Sequence, residues 1–216
     1  MMNQYVKYKA TNLSWCSELP EDYVLSKLKY LVEVKDGTHD TPSYVVNNED
    51  AYPLVTSKDL NNGLIDFTNV RFISKEDHVK IISRSNVAYG DIIMPMIGTV
   101  GGAAIVNVTK EFSIKNVALF KTSNGNIHAG FLKYLLDSNF ITTQFELVSR
   151  GGVQNFVSLD ILKNLIVPKS NAQDKIALYL DKKSIEINNI ISQKEMLIEK
   201  LKDERTEIIN HAVVKG

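Results

Sequence analysis

Between 173 and 212 the chain runs without a single proline or glycine. Ala, Leu, Ile, Glu and Lys dominate this stretch, most of them good helix formers, and Ser170 or Asn171 after Pro168 can cap its start. Leu180, Ile187, Lys194, Leu201 and Ile208 fall seven apart. Ser184, Ile191, Ile198, Arg205 and Ala212 interleave with them by alternating steps of four and three, and Ile190 and Leu197 widen the stripe. The spacing predicts one amphipathic helix with coiled-coil character. At this length it would reach ~60 Å, longer than a small domain, so its far end calls for a partner. A terminal helix lying across its own domain is the alternative. Leu180, Ile187, Ile191, Ile198, Leu201 and Ile208 are the candidate association residues.

The rest of the chain has another character. Short apolar runs at 52–56, 63–67, 91–94, 103–106 and 117–121 are bounded by Gly, Asn or Asp and predict strands. Asn62-Gly63 predicts a tight turn, and 131–139 has the spacing of a short helix. The expected class is α+β. A globular domain over 1–168, with a twisted mixed β-sheet and short helices, would be followed by a long coiled-coil helix over 169–216. With 44% hydrophobic and 23% charged residues, the chain can bury a real core. A lone Cys16, no signal-peptide core and no run approaching the ~20 apolar residues of a membrane span lead to an expected cytoplasmic location.

The most site-like segment is Asp36-Gly37-Thr38-His39-Asp40-Thr41-Pro42. One reading is a metal-dependent or acid–base enzyme, with His39 as general base and Asp36 or Asp40 orienting it or joining it as a ligand. His78, His128 and His211 are scattered and complete no ligand spacing. The other reading is a loop, with Gly37 at a special backbone angle and Asp36 and Thr38 bonding nearby amides. Gly98-Thr99-Val100-Gly101-Gly102 lacks both the G-x-G-x-x-G order and a P-loop lysine, which leaves a hairpin or bulge. Around 149–156, Arg150, Gln154 and Asn155 sit on a Gly-rich stretch, and such side chains bond phosphates and base edges. Lys58, Arg71, Lys75, Lys80 and Arg84 add charge, diluted by Asp59, Asp66, Glu76 and Asp77. The net charge is zero, with 25 basic and 25 acidic residues, so nucleic-acid binding would require basic residues gathered locally.

In order along the chain, several segments resemble the DNA-specificity subunits of type I restriction-modification systems. They are YKATNLSWCSELPEDYVLSKLKYL, the signature DGTHDTP, YGDIIMPMIGTVGGAAIV, RGGVQNFVSLDILKNLIVP and the closing AQDKIALYL…HAVVKG. The resemblance spans residues 5–216. It departs at Ala172-Gln173, where the family's spacer usually opens Glu-Gln, and mildly at Tyr23.

That resemblance implies a non-catalytic adaptor with one target-recognition domain and one helical spacer, where full subunits carry two of each. It would read one half of a bipartite site on double-stranded DNA and dock the modification (methyltransferase) and restriction subunits. Its helix would pair antiparallel with its own copy or with another specificity half-subunit. No cofactor or metal is expected in the chain itself; S-adenosylmethionine would belong to the methyltransferase subunit. The implied contact residues are Lys58, Arg71, Lys75, Arg84, Arg150, Gln154 and Asn155, with Asp36, Gly37, Thr38, His39 and Pro42 forming the signature loop. A coiled-coil scaffold that binds no DNA is the remaining alternative.

Overall fold

A computed structural model describes residues 7–61, 63–97, 101–123, 126–148 and 156–216. In chain order its elements begin with strands β1 (Tyr8–Leu13), β2 (Cys16–Pro20), β3 (Val24–Lys27), β4 (Glu33–Asp36), β5 (Tyr44–Val45) and β6 (Tyr52–Val55). A 3₁₀ turn over Ser57–Asp59 leads to β7 (Leu60–Asn61), β8 (Leu64–Ile65), β9 (Arg71–Ile73) and helix α1 (Lys75–Ser85). Then follow β10 (Ile92–Pro95), β11 (Ala104–Ile105), β12 (Ser113–Ile114), β13 (Val117–Lys121), α2 (Ala129–Leu136), α3 (Asn139–Val148), α4 (Leu159–Asn164), β14 (Ile166–Lys169) and α5 (Gln173–Val214). The chain divides into two compact units, Met1–Asp174 and Lys175–Gly216.

Within the first unit, one four-stranded sheet has the antiparallel order β11-β10-β13-β4. A second has the order β12-β6-β9-β5, with β12 parallel to β6 and the other pairs antiparallel. The latter is the mixed sheet expected, although among the described residues the strands are shared among five sheets rather than gathered in one. Side chains alternate faces along a strand, and Ile93, Val117 and Leu119 pack with Val55, Val106, Phe112 and Ile114 in one core. Ile92, Met94, Ala118 and Phe120 alternate with them and are equally buried, so this sheet is covered on both faces. That explains why 117–121 reads as a continuous apolar run rather than an alternating one.

Two buried polar anchors fix the unit. The Lys121 ammonium donates to Asp91 Oδ2 at 2.5 Å and to the Asn86 carbonyl at 2.7 Å, tying β13 to the left-handed residue that ends α1. Gln144 on α3 donates to the Ile166 carbonyl and accepts from its N–H, both at 2.9 Å. Its amide thereby acts as a neighbouring strand for β14.

The expected strands form at β13 and, with shifted or shortened bounds, at β6, β8, β10 and β11. β10 and β11, which flank the glycine segment, pair antiparallel, while Gly98, Thr99 and Val100 lie outside the described residues. Gly101 and Gly102 adopt positive φ, and the N–H groups of Gly102 and Ala103 both donate to Asp137 Oδ1. Gly63 has a φ of +75°, as a tight turn requires, while Asn62 lies outside the described residues. Helices α1, α3 and α4 were not expected. In α1 only His78, Ile81 and Ser85 are buried, so its apolar edge is too narrow to show as a period. Its start was legible, since Ser74 accepts from the Asp77 N–H and Glu76 and Asp77 occupy the first turn.

The second unit is α5 from Lys175 onward. The helix runs 42 residues from Gln173 to Val214, ~63 Å, slightly beyond the expected end. Lys183–Glu186 and Lys202–Glu199 pairs, at 2.6 and 2.7 Å, decorate its polar side. Among the described residues, no helix is long and apolar enough to cross a membrane.

Candidate functional site

The signature segment begins at the end of β4, where pairing with β13 places Asp36 opposite Ala118 and buries it to 4% exposure. Asp36 Oδ1 accepts from the Arg84 guanidinium at 2.6 Å, and Asp36 Oδ2 lies 2.8 Å from His39 Nε2. The other ring nitrogen of His39 faces Asn116 Oδ1 at 3.1 Å. Both nitrogens are thus engaged and both carboxylate oxygens are occupied. Asp40 contributes its carbonyl, which accepts from the Lys115 ammonium at 3.2 Å, as the His39 carbonyl does at 2.9 Å. Among the described residues, no group of three or more His, Cys, Asp or Glu side chains could hold a metal ion.

The loop is held differently from the sequence expectation. Asp36 bonds two side chains rather than backbone amides. Thr38 works through its backbone, its N–H donating to the Ile114 carbonyl and its carbonyl accepting from the Asn116 N–H. Gly37 is not at a positive φ; what it supplies is close approach, since a Cβ there would lie 2.1 Å from the Ile114 carbonyl oxygen. Pro42 follows, half-buried, before β5. The segment is therefore a braced loop clamped onto residues 114–117.

Asn116 connects this brace to a cleft of about 530 Å³, lined also by Tyr44, Thr56, Lys58, Asn69 and Arg71. The mixed sheet positions these groups. Arg71 opens β9, and its guanidinium lies 4.5 Å from the centre of the Tyr44 ring on adjacent β5, a cation–π contact that orients it. Lys58 sits on the 3₁₀ turn, whose capping box occupies the nearest acid: Asp59 Oδ2 accepts from the N–H and the hydroxyl of Thr56 at 2.7 and 2.8 Å. Two cations, two carboxamides, an aromatic ring and the Asp59 carboxylate thus share one concave surface on a chain with zero net charge.

Of the residues singled out for DNA contact, Lys58 and Arg71 come together here. Lys75 and Arg84 lie at opposite ends of α1, nine positions and ~13 Å apart, and Arg84 is engaged by Asp36. Lys80 pairs with Glu76 at 2.8 Å on the same helix. Arg150, Gln154 and Asn155 lie outside the described residues. Asn116 was missed, because a single Asn between two strands carries no motif; its φ of +55° shows only in three dimensions. On α5, Ile187, Ile191, Ile198, Leu201 and Ile208 remain about half exposed or more, while Leu180 is half-buried.

The family model described as "Type I restriction modification DNA specificity domain" matches residues 20–200. The chain is similar to the type I restriction enzyme MjaVIII specificity subunit of Methanocaldococcus jannaschii, with 23% identity covering 94% of this chain and 48% of that one. It is also similar to the EcoBI specificity subunit of Escherichia coli, with 25% identity over 71% of this chain and 34% of that one. It therefore spans about half the length, or less, of the curated relatives it matches. The HsdS subunit from Thermoanaerobacter tengcongensis has the same fold, with a TM-score of 0.64 at 15% identity, covering 95% of this chain and 47% of that one. So does a chain from a structure addressing assembly and conformational transition of the type I R-M system, with a TM-score of 0.69 at 17% identity, covering 90% and 46%. With its signature loop folded as a brace and the family model matched over most of its length, the chain belongs to the type I restriction-modification DNA specificity domain family.

Proposed function

We propose that this chain reads one half of a bipartite site on double-stranded DNA and joins a modification and a restriction subunit to that address. The observation that carries the reading is the cleft in which Lys58 and Arg71 converge beside Asn69 and Asn116. Lysine and arginine supply phosphate contacts that set register, and carboxamides supply base-edge contacts that specify sequence. Catalysis would reside in the other subunits, with S-adenosylmethionine bound by the methyltransferase and no cofactor in this chain. Lys75, Arg150, Gln154 and Asn155 are proposed as further contacts, whereas Arg84 acts through Asp36.

The helix would associate with a second copy, antiparallel and two-fold. Its apolar stripe supports this, being close to symmetric about Lys194. Leu180 and Ile208 stand fourteen positions either side of it, Ile187 and Leu201 seven, Ile190 and Ile198 four, and Ile191 and Leu197 three. A two-fold interface needs that self-complementarity, since each contact must occur twice. Lys194 would then meet its mate at the axis and must direct its ammonium outward to water. At ~63 Å the helix is nearly as long as two turns of duplex at about 34 Å each, a length that suits a spacer between two half-sites.

The test is to express the full chain with its modification subunit in a host free of adenine methylation and map the methylated adenines. A split palindromic motif is expected. An unsplit motif would remove the two-fold reader, and the absence of any motif would remove DNA recognition.

A further inference from the structure

We infer that Asn116 is a base-reading residue of this cleft, aimed by the Asp36–His39 pair, so that the signature loop serves as positioning machinery for sequence readout. The inference rests on the DNA-reading role proposed above. The backbone of Asn116 is pinned on both sides: its N–H donates to the Thr38 carbonyl at 3.1 Å, and its carbonyl accepts from the Met96 N–H at 3.4 Å. Asn116 lines the cleft with a left-handed φ of +55°, a conformation that Asn tolerates better than most side chains.

The side chain is fixed as well. From Arg84 a chain of contacts runs through buried Asp36 at 2.6 Å, His39 at 2.8 Å and Asn116 Oδ1 at 3.1 Å, so rotation of the carboxamide is restrained from a buried anchor. Lys115 closes the loop by donating to the His39 and Asp40 carbonyls, and Phe156 meets the His39 ring edge-on at 6.5 Å.

A carboxamide has two donor hydrogens and two acceptor lone pairs. His39 uses one of these four, and whichever nitrogen of the ring carries hydrogen, the amide keeps at least one N–H and one carbonyl lone pair. Among the described residues, no other side chain is bonded to them. A cleft-lining carboxamide with both functions free matches the N6 donor and N7 acceptor that adenine presents in the major groove. Lys58 and Arg71 in the same cleft would hold the flanking phosphates. A side chain whose only task was to brace the loop would need neither free function nor a place in the cleft.

Methylation mapping with the full chain and its modification subunit tests this. Asn116→Asp keeps the shape and the left-handed backbone but replaces the donor, and Asn116→Gly keeps the backbone and removes the amide. Both should lower discrimination about 10- to 100-fold at one position of each half-site, at the expense of adenine, and leave the other positions intact. His39→Ala should relax that same position and no other, which a residue acting only on the fold would not do. An unchanged motif in both Asn116 variants overturns the inference and leaves the proposed function standing. Loss spread evenly over all positions also overturns it, marking a structural role. A wild-type chain that yields no motif overturns the DNA-reading role and this inference with it.

Discussion

In the globular unit, Ile92, Ile93, Met94, Leu119 and Phe120 have no exposed surface, whereas along α5 Ile187, Ile190, Ile191, Leu197, Ile198 and Leu201 keep 46–56% of theirs. The same residue types therefore face opposite environments within one chain. In the first region, burial is completed by sheet strands that come from distant parts of the sequence, and buried ion pairs such as Lys121–Asp91 fix their register. In the second, the apolar groups lie in register on a single element, and completing their burial takes another surface of matching length. The difference teaches where sequence substitutions should act: on folding in the first region, on association in the second.

The largest effect should come from Lys121→Met, which strands the fully buried Asp91 carboxylate without its cation. Removing one partner of a buried pair costs about 3–5 kcal/mol, read as a lower urea midpoint. Adding Asp91→Asn to that variant should recover part of the loss. Next is Gly37→Ala, whose new methyl would collide with the Ile114 carbonyl and force the loop off residues 114–117. About 2–3 kcal/mol is expected in the same measurement. If Gly37→Ala were neutral, the signature loop would not brace the globular unit at all.

These two positions also mark what could be read from the sequence. The helix was legible almost to its ends, because one element with a periodic apolar face declares itself locally. DGTHDTP was legible as a special loop, but its partners were not. Asp36 meets Arg84 from 48 positions away, and His39 meets Asn116 from 77 away, and no periodicity encodes such pairings. Lys58 and Arg71 were identified one by one as basic residues. Their convergence needed the pairing of β5, β6 and β9, which depends on the fold of the whole unit. The expectation for Gly37 erred in mechanism for the same reason: close approach to Ile114 is a tertiary fact.

A smaller effect should depend on pH. His78 is buried, stacked on Tyr52 with ring centres 3.8 Å apart, and its Nδ1 lies 2.9 Å from the Ser113 hydroxyl. Its Nε2 is 3.5 Å from Glu111, long enough to be left without a hydrogen bond. Burial holds this imidazole below its ordinary value of 6.5, and attraction to Glu111 offsets only part of that. The unfolded chain therefore takes up the proton first as pH falls. Stability contributed by neutral His78 should be complete above about pH 6.5 and decline below it, toward the lower folded value. His78→Phe keeps a ring against Tyr52 and should flatten the unfolding midpoint between pH 7 and 5.5. An unaltered slope would assign that pH dependence to other groups.

The smallest effect on folding should come from the region with the largest effect on assembly. Ile191→Asp with Ile198→Asp puts charge on the exposed stripe of α5, where neither residue contributes to a buried core. Surface substitutions of this kind fall within about ±0.5 kcal/mol, so the globular unit's unfolding should stay within that range when measured on dilute protein. Across the proposed antiparallel interface, each aspartate would face apolar side chains twice over, once in each copy, and losing water there is costly for a carboxylate. Sedimentation should then report a monomer in place of a dimer. A globular unit weakened by several kcal/mol would contradict the division drawn between the two regions. A dimer that survived both substitutions would leave that division intact and place the association surface elsewhere.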